Sequence, residues 1–245
     1  MRPLNKPRTI AGDPPEWIVH DEPIPCPYLP GQIARLPLRL PARALRATEF
    51  SQRLAEGDRR QGRLLYRPNC PSCRACEAIR IEVDAFTPQR TQRRVLRRGD
   101  AALQVEIGPP TMTAEKVELY NRHKIERELL VGTDLLDASG YEQFLVDTCV
   151  DTVELVYRHA GALVGVAITD RAADSLSAVY CFFDPDYARW SPGAYSILKQ
   201  IELCRRWDLR YLYLGLYVAD CAAMRYKAGY RPHERLVGST WMRFC

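Results

Sequence analysis

The chain has 245 residues, of which 47% are hydrophobic and 27% are charged, a balance typical of a globular protein that can bury a core. No apolar run approaches the roughly 18 residues that a membrane span needs. The first 20 residues contain four prolines and no apolar signal segment. We therefore expect neither membrane insertion nor export, and we expect a cytoplasmic protein.

Basic residues are concentrated in the first part of the chain. Residues 1–100 contain 19 Lys and Arg against 11 Asp and Glu, whereas residues 101–245 contain 16 against 19. Only five of the 35 basic residues are Lys. Arg presents a planar fork to phosphate and stacks on bases, so this composition indicates nucleic-acid contact. A GC-rich coding sequence, which favours Arg codons, explains the composition equally well.

The first 25 residues are rich in proline and show no periodicity, which predicts a flexible N-terminal arm. Residues 26–108 are rich in Arg and Cys and are predicted to form an N-terminal domain. The alternation over residues 79–83 predicts a strand within it. Gly108, Pro109 and Pro110 then break the chain. Residues 109–245 are predicted to form a second domain.

Three cysteines, Cys70, Cys73 and Cys76, lie within seven residues, and this spacing lets their thiols converge on one ion. Cys26, between two prolines, is the natural fourth ligand. Nine cysteines in a chain without a signal segment indicate a reducing compartment, where clustered thiols serve as metal ligands. The pattern predicts a four-cysteine site for structural Zn or an Fe–S cluster. The alternative is a set of unligated thiols.

A short basic helix is predicted over residues 87–98, with Thr87 as its N-cap. Its arginines recur at helical spacing, so they form one stripe along the helix. Such a stripe can neutralise several phosphates of a nucleic acid. A solvated basic face is the alternative. The stripe consists of Arg90, Arg94, Arg97 and Arg98.

The second half of the chain predicts helices over residues 113–128 and 140–148, followed by strands over 155–158, 163–169 and 177–183. Ser191 and Pro192 then suit the start of a helix, and residues 211–218 return as a strand. An antiparallel meander, a helix and a further strand form an α+β pattern. This pattern is compatible with the fold of the N-acetyltransferases.

The start of the predicted helix at Ser191, Pro192 and Gly193 offers free backbone N–H groups for an anion or a carbonyl oxygen. Acetyl-CoA enzymes carry a glycine-rich loop at this place. Pro192 has no N–H group, which disfavours coenzyme A and leaves an acyl-transfer fold open. Further along, Tyr226 and Lys227 can orient a carboxylate or an ester, although an aromatic and basic surface loop is the alternative reading.

Several motifs in chain order resemble the bacterial leucyl-tRNA–protein transferases, relatives of the arginyl-tRNA–protein transferases. The resemblance spans residues 26–235. It rests on the segments 26–31, 57–62, 66–76, 89–98, 150–152, 164–170, 176–185, 211–215 and 224–232.

The resemblance implies an enzyme that moves an aminoacyl group, leucine or arginine, from tRNA to the α-amino group of a protein beginning with Asp or Glu. Such a tag marks the acceptor protein for degradation through the N-degron pathway. The resemblance also implies an N-terminal Cys-containing domain and a C-terminal domain with an acetyltransferase-like (GNAT-like) fold. Because the aminoacyl ester is already activated, the transfer needs no cofactor.

Aminoacyl transfer needs a group that accepts the proton of the amine and a cation that binds the acidic side chain of the acceptor. The tRNA 2′-hydroxyl is an alternative proton acceptor. An N-acyltransferase of peptides or small molecules and a non-catalytic tRNA-binding protein remain alternative functions. The candidate bases are Asp170, Tyr180, Asp184 and Tyr226, the candidate cations are Arg67, Arg80 and Lys227, and Tyr28, Ser191, Gly193 and Arg225 are further substrate-binding candidates.

Overall fold

The computed structural model describes residues 8–129 and 135–245. In its N-terminal part, five antiparallel strands form a sheet in the order β1-β2-β5-β7-β6, and β3 and β4 form a separate hairpin. The strands are β1 (Arg8–Ile10), β2 (Glu16–His20), β3 (Pro23–Pro25), β4 (Ile33–Arg35), β5 (Leu38–Pro41), β6 (Arg59–Gln61) and β7 (Leu64–Tyr66).

The predicted flexible arm is therefore wrong for residues 8–25, which contain β1, β2 and β3. Strand β2 pairs with β5. The carboxylate of buried Glu16 forms ion pairs with Arg39 at 3.0 Å and with Arg53 at 2.6 Å. These ion pairs fix the segment to the body of the protein. Residues 1–7 of the expected arm lie outside the described residues.

A larger sheet of eight strands has the order β15-β14-β8-β13-β12-β11-β10-β9. Its neighbours are antiparallel except for β12 and β13, which run parallel. The sheet contains strands from both sides of residue 108, where the sequence predicts a domain boundary. The division of the chain into two domains at that residue stays a prediction. The strands are β8 (Glu77–Glu82), β9 (Gln104–Gly108), β10 (Asp151–His159), β11 (Ala162–Arg171), β12 (Ser175–Phe183), β13 (Tyr211–Tyr217), β14 (His233–Val237) and β15 (Thr240–Phe244).

Helices cover both faces of this sheet, and the strand β10 shows how its side chains divide between them. Leu155 and Tyr157 pack with residues of α2 and α5, whereas Val156 packs with residues of α3 on the opposite face. Within the described ranges, no helix has both the length and the apolar composition to cross a membrane. The helices are α1 (Ala47–Ala55), α2 (Arg90–Asp100), α3 (Ala114–Glu126), α4 (Ala138–Tyr141) and α5 (Pro192–Arg206).

Most of the predicted elements are confirmed, with two changes at helices. Thr113 caps α3, since its side chain accepts a hydrogen bond from the Lys116 N–H. The predicted cap at Thr87 is wrong, because α2 begins at Arg90 after the N-cap Gln89. The helix expected over residues 140–148 is the short α4 followed by a π-helical turn, Glu142–Val146.

A close approach between two helices places the basic helix α2 against the sheet. A Cβ atom on Gly99 of α2 would lie 2.3 Å from the ring of Tyr195 on α5. Only a residue without a side chain fits at this position. Gly99 thus brings α2 next to α5, whose first turn borders the opening described below.

Candidate active site

The parallel strands β12 and β13 diverge near the middle of the large sheet. They pair only where Ser175–Ser177 faces Tyr211–Tyr213, and no pairing follows over the remaining length of either described strand. A gap inside a sheet leaves backbone polar groups without strand partners, so other groups must satisfy them. The region where the two strands no longer pair, beyond Ser177 and Tyr213, is called the opening below.

A bulge in β13 lines this opening. Gly215 has φ +80°, and the pairing of β13 with β8 shifts register at this point. The carbonyl oxygens of Gly215 and Leu216 are satisfied by two cations. Arg59 donates from Nη2 to Gly215 at 2.8 Å, and Lys227 donates from Nζ to Leu216 at 2.7 Å. The bulge thus brings the cations of two distant segments together.

The environment of Lys227 lowers the proton affinity of its ammonium group. Burial lowers the pKa of Lys227 to about 8, and the positive charge of Arg59 acts in the same direction. The thiol of Cys221 acts in the opposite direction. Lys227 can therefore change its charge close to the pKa of a peptide α-amino group, which is about 8.

The 3₁₀ segment Ala222–Gly229 carries Lys227 to Leu216 on β13, beyond the last residue that pairs with β12. Its Tyr226 is 56% exposed, and the Tyr226 ring centroid lies 6.0 Å from the Lys227 Nζ. The thiol of Cys181 on β12 lies near Tyr226. Tyr226 thus offers a neutral hydroxyl between the two diverging strands, and Arg225 beside it is exposed.

The N-terminus of α5 also borders the opening. Ser191 takes the N-cap position with φ +53° but makes no side-chain capping bond, and Pro192 is the first helical residue. A Cβ atom on Gly193 would lie 3.5 Å from the ring of Phe183, at the end of β12. Ser191 and Gly193 thus lie at the start of a helix, as the sequence predicts; the Ser191 N–H donates to the carbonyl oxygen of Ala188 at 2.8 Å, so the donors expected to be free begin at Gly193.

The basic stripe on α2 points to solvent. Arg90, Arg94, Arg97 and Arg98 are all exposed, and none of them has an ion pair with any residue in the described ranges. Gln92 of the same helix donates from Nε2 to the carbonyl oxygen of Gly229 at 3.4 Å. This hydrogen bond joins the N-terminal end of the basic helix to the segment that carries Lys227.

Two of the predicted bases are occupied by structural contacts. The Asp170 carboxylate is buried, lies 2.7 Å from Arg60 Nε and accepts a hydrogen bond from Thr152 at 2.8 Å. The Asp184 carboxylate pairs with Arg122 at 2.9 Å and caps the following turn. Each carboxylate is thus held by a cation and a hydrogen-bond donor of the protein itself, which gives Asp170 and Asp184 a structural role in place of the predicted catalytic one.

Tyr180, a third predicted base, lies on the other face of the sheet. Its ring packs against Tyr120 and Phe144, in the aromatic cluster beneath α3. Cys181, the next residue of the strand, packs on the α5 side, where Tyr226 lies. Alternation along β12 therefore directs Tyr180 away from the opening. Of the four candidate bases, the structure brings only Tyr226 to the opening.

Arg80, a predicted partner of the acidic acceptor, is fully engaged within the protein. It binds Glu234 at 2.7 Å and the Tyr213 hydroxyl at 3.0 Å. Its guanidinium also lies between the rings of Tyr211 and Trp241, at 3.8 Å and 4.0 Å from their centroids. These contacts give Arg80 a structural role in place of the predicted contact with the acceptor.

Arg67, the second of these candidates, binds two carboxylates. Its Nε donates to Asp58 and its Nη2 donates to Glu56, each at 2.8 Å. Its charge is thus already compensated by two acids. Lys227 is the remaining cation of the three candidates, and it lies at the opening.

The four predicted metal ligands line one cavity of about 210 Å³ together with Tyr28. Burial and the neighbouring thiols raise the pKa of Cys76 to about 12. Among the described residues, no three side chains of His, Cys, Asp or Glu are arranged to hold a metal ion. The four thiols thus share one cavity, and a metal ion or cluster bound by them stays a prediction. The four cysteines are Cys26, Cys70, Cys73 and Cys76.

Sequence reasoning missed Arg59 and Cys221, which both influence Lys227. Arg59 lies in a segment, residues 57–62, that supports the family resemblance, but two adjacent arginines in a sequence do not reveal separate roles. The structure separates them: Arg60 turns to Asp170, and Arg59 turns to the bulge at Gly215. The sequence around Cys221 is typical of a core cysteine, and no signal in it indicates a connection with Lys227.

Comparison with known proteins adds to this geometry. The family model described as "Arginine-tRNA-protein transferase, N terminus" matches residues 24–94, and "Arginine-tRNA-protein transferase, C terminus" matches residues 115–237. The crystal structure of the C-terminal domain of a protein described as a putative lysylphosphatidylglycerol synthetase, from Agrobacterium fabrum, has a TM-score of 0.51 and 14% identity. It covers 69% of this chain and 58% of that chain, and the likeness shows a shared fold.

Curated relatives match almost the whole chain. An aspartate/glutamate leucyltransferase of Chromobacterium violaceum is 42% identical over 219 residues, which cover 89% of this chain and 90% of the relative. The aspartate/glutamate leucyltransferase of Thiobacillus denitrificans is 40% identical over 216 residues, covering 88% and 90%. The chain therefore belongs to the arginine-tRNA-protein transferase family and, within it, to the aspartate/glutamate leucyltransferases.

Proposed function

We propose that this chain transfers leucine from Leu-tRNA to the α-amino group of proteins that begin with Asp or Glu, and so marks them for degradation through the N-degron pathway. The hydrogen bond between Gln92 and Gly229 carries this proposal, because it places an exposed basic helix directly beside the opening at Lys227. An enzyme that uses charged tRNA needs these two features side by side. The names of the curated relatives support the choice of donor and acceptor.

In this proposal the larger sheet with α5 is an acetyltransferase-like (GNAT-like) unit, and the opening between β12 and β13 is where the reactants meet. The divergence of two parallel strands next to a helix N-terminus supports this assignment. The exposed arginines of α2 bind the phosphates of the tRNA outside the opening. The aminoacylated end then enters beside Tyr226 and Gly193.

The reaction exchanges an ester for an amide. The neutral α-amino nitrogen of the acceptor attacks the ester carbonyl carbon, a C–N bond forms, and the C–O bond to the terminal ribose breaks. The amine loses one proton and the ribose oxygen gains one, so no external acid or base is consumed. The protein's task is to align the two groups and to stabilise the oxyanion. Tyr226 and the N–H groups after Ser191 are placed at the opening for this purpose.

The test is a transfer assay with radiolabelled Leu-tRNA and Arg-tRNA and with peptides that begin with Asp, Glu, Asn or Gln. We expect label from Leu-tRNA on the Asp and Glu peptides, and free leucine with deacylated tRNA serves as the control. Transfer from Arg-tRNA alone would assign arginine as the donor. No transfer from either tRNA by folded protein contradicts the proposed function. Binding of acetyl-CoA in a calorimeter would favour a different acyl donor.

A Zn ion or an Fe–S cluster at the four cysteines stays a prediction, and no step of the proposed transfer depends on it. Metal analysis and an absorption spectrum of protein purified without oxygen provide the measurement. We expect Cys73→Ser to lower the bound metal if the thiols close around an ion. An unchanged metal content in this variant would exclude the cysteine cavity as the site.

A further inference from the structure

Buried Arg59 and half-buried Lys227 are two neighbouring cations, and within the described residues neither forms an ion pair with a carboxylate. Arg59 is 5% exposed, and its guanidinium donates to the backbone oxygens of Asp58 and Gly215, each at 2.8 Å. Its Nε is buried and has no hydrogen-bond partner among the described residues. The ammonium of Lys227 donates to the backbone oxygen of Leu216. Both cations thus contact neutral backbone groups.

The nearest acid is Asp58, and other arginines already neutralise it. Its carboxylate lies 2.7 Å from Arg39 and 2.8 Å from Arg67. The groups that act on Arg59 are Asp58 and the hydroxyls of two tyrosines, half-buried Tyr66 and buried Tyr213.

Lys227 faces three groups: the guanidinium of Arg59, the thiol of Cys221 and the ring of Tyr226. Within the part of the chain that the structure describes, neither cation forms an ion pair with an acid.

Buried Arg60 and Lys116 and half-buried Arg39 do have acids beside them. Arg60 pairs with Asp170, Lys116 pairs with Glu154, and Arg39 pairs with Glu16. An enclosed charge without a counter-ion is costly, and an unpaired buried polar group calls for a physical explanation. A ligand that brings a negative charge supplies that explanation.

We propose that Arg59 and Lys227 form an anion subsite that binds the side-chain carboxylate of the acceptor's first residue. This assignment rests on the proposed function and deepens it, because it names the groups that distinguish Asp and Glu from their amides. Lys227 contacts the carboxylate, and Arg59 adds its charge from behind the bulge at Gly215. The other two candidate cations, Arg67 and Arg80, are held by acids of the protein itself.

The enclosure of the site favours a carboxylate over an RNA phosphate. A phosphodiester carries a ribose on each side and needs an open surface, which the exposed arginines of α2 provide. A carboxylate at the end of a short side chain can enter beside Tyr226 and reach Lys227. In that position the α-amino group of the same residue stays close to the opening, where the ester is held.

The experiment compares kcat/KM for peptides that begin with Asp and Asn, using the whole 245-residue chain and saturating Leu-tRNA. Lys227→Arg keeps the positive charge, whereas Lys227→Gln removes it. We expect Lys227→Arg to keep the preference for Asp. We expect Lys227→Gln to lower kcat/KM for the Asp peptide by about 30-fold or more, with a much smaller change for the Asn peptide, because only the Asp peptide loses an ion pair.

Arg59→Gln should lower the Asp-to-Asn ratio in the same direction, and a thermal melt checks that this variant is folded. Equal losses for the Asp and Asn peptides in Lys227→Gln would overturn the assignment. Weaker tRNA binding by Lys227→Gln with an unchanged Asp-to-Asn ratio would overturn it in favour of an RNA phosphate. Failure of the wild-type protein to label any peptide would instead contradict the proposed function.

Discussion

Arg60 and Asp170 form a buried ion pair, 2.7 Å between Nε and the carboxylate oxygen, that joins the five-stranded sheet to the eight-stranded sheet. Arg60 lies on β6 and Asp170 near the end of β11. Thr152 and the carbonyl oxygen of Gly62 complete the network. Removing one partner of such a pair leaves the other charge buried without compensation.

Asp170→Asn is expected to destabilise the protein by about 3–5 kcal/mol, because Arg60 would lose its counter-ion in a buried position. Urea unfolding measures the loss. The matched control is Asp147→Asn, which removes the exposed pair between Arg63 and Asp147 at 3.8 Å; we expect a change within about 0.5 kcal/mol there. A fully stable but inactive Asp170→Asn protein would contradict this structural role and restore Asp170 as a base.

The preference for acidic acceptors is expected to weaken as the pH rises through about 8. Burial and Arg59 lower the pKa of Lys227 to about 8, so its positive charge is present below that pH and lost above it. The measurement is the ratio of kcat/KM for Asp and Asn peptides between about pH 7 and pH 9.5, in which the titration of the peptide amine largely cancels. In Lys227→Arg the ratio should stay flat, because Arg keeps its charge over this range. A ratio that falls equally in both proteins would exclude Lys227 as the titrating group.

Replacing Arg94 and Arg97 together with Gln is expected to weaken tRNA binding and to reduce the slope of log K against log salt by about two, because two phosphates of the RNA are no longer neutralised. Filter binding at several salt concentrations gives this slope. Arg210→Gln is the control, because Arg210 is exposed but already paired with Glu82 at 3.0 Å. Identical slopes for the double variant and the wild type would show that α2 does not bind the RNA.

Gly99→Ala is expected to cost about 1–3 kcal/mol through overpacking, since the new methyl group would meet the Tyr195 ring. Gly108→Ala serves as the control, because a Cβ atom there has no neighbour within 4 Å. Thermal unfolding of both variants tests the difference. The Gly99 variant should also bind tRNA less tightly, since α2 must shift away from α5. Equal stability of the two variants would show that α2 and α5 separate at little cost.

Elements that depend on neighbouring residues could be predicted from the sequence. The cap at Thr113, the hairpin of β10 and β11, and the start of α5 at Pro192 are of this kind. Strands β1 and β2 could not be predicted, because their stability comes from pairing with β5 and from ion pairs to Arg39 and Arg53. The proline content of this segment predicted a flexible arm, which is wrong for residues 8–25.

The sequence by itself determined the residue types of the site: a basic stripe on one helix, clustered thiols, and the Tyr226 and Lys227 pair. Only the tertiary structure decided which charged side chains are paired with groups of the protein itself and which are available to a substrate. Asp170, Asp184, Arg67 and Arg80 are engaged by partners between 9 and 154 residues away in the chain. The physical reason is that a charged side chain is available to a substrate only if the fold brings no opposite charge to it. Lys227 meets that condition, since its charged neighbour at the bulge of Gly215 is Arg59, a cation and not an acid.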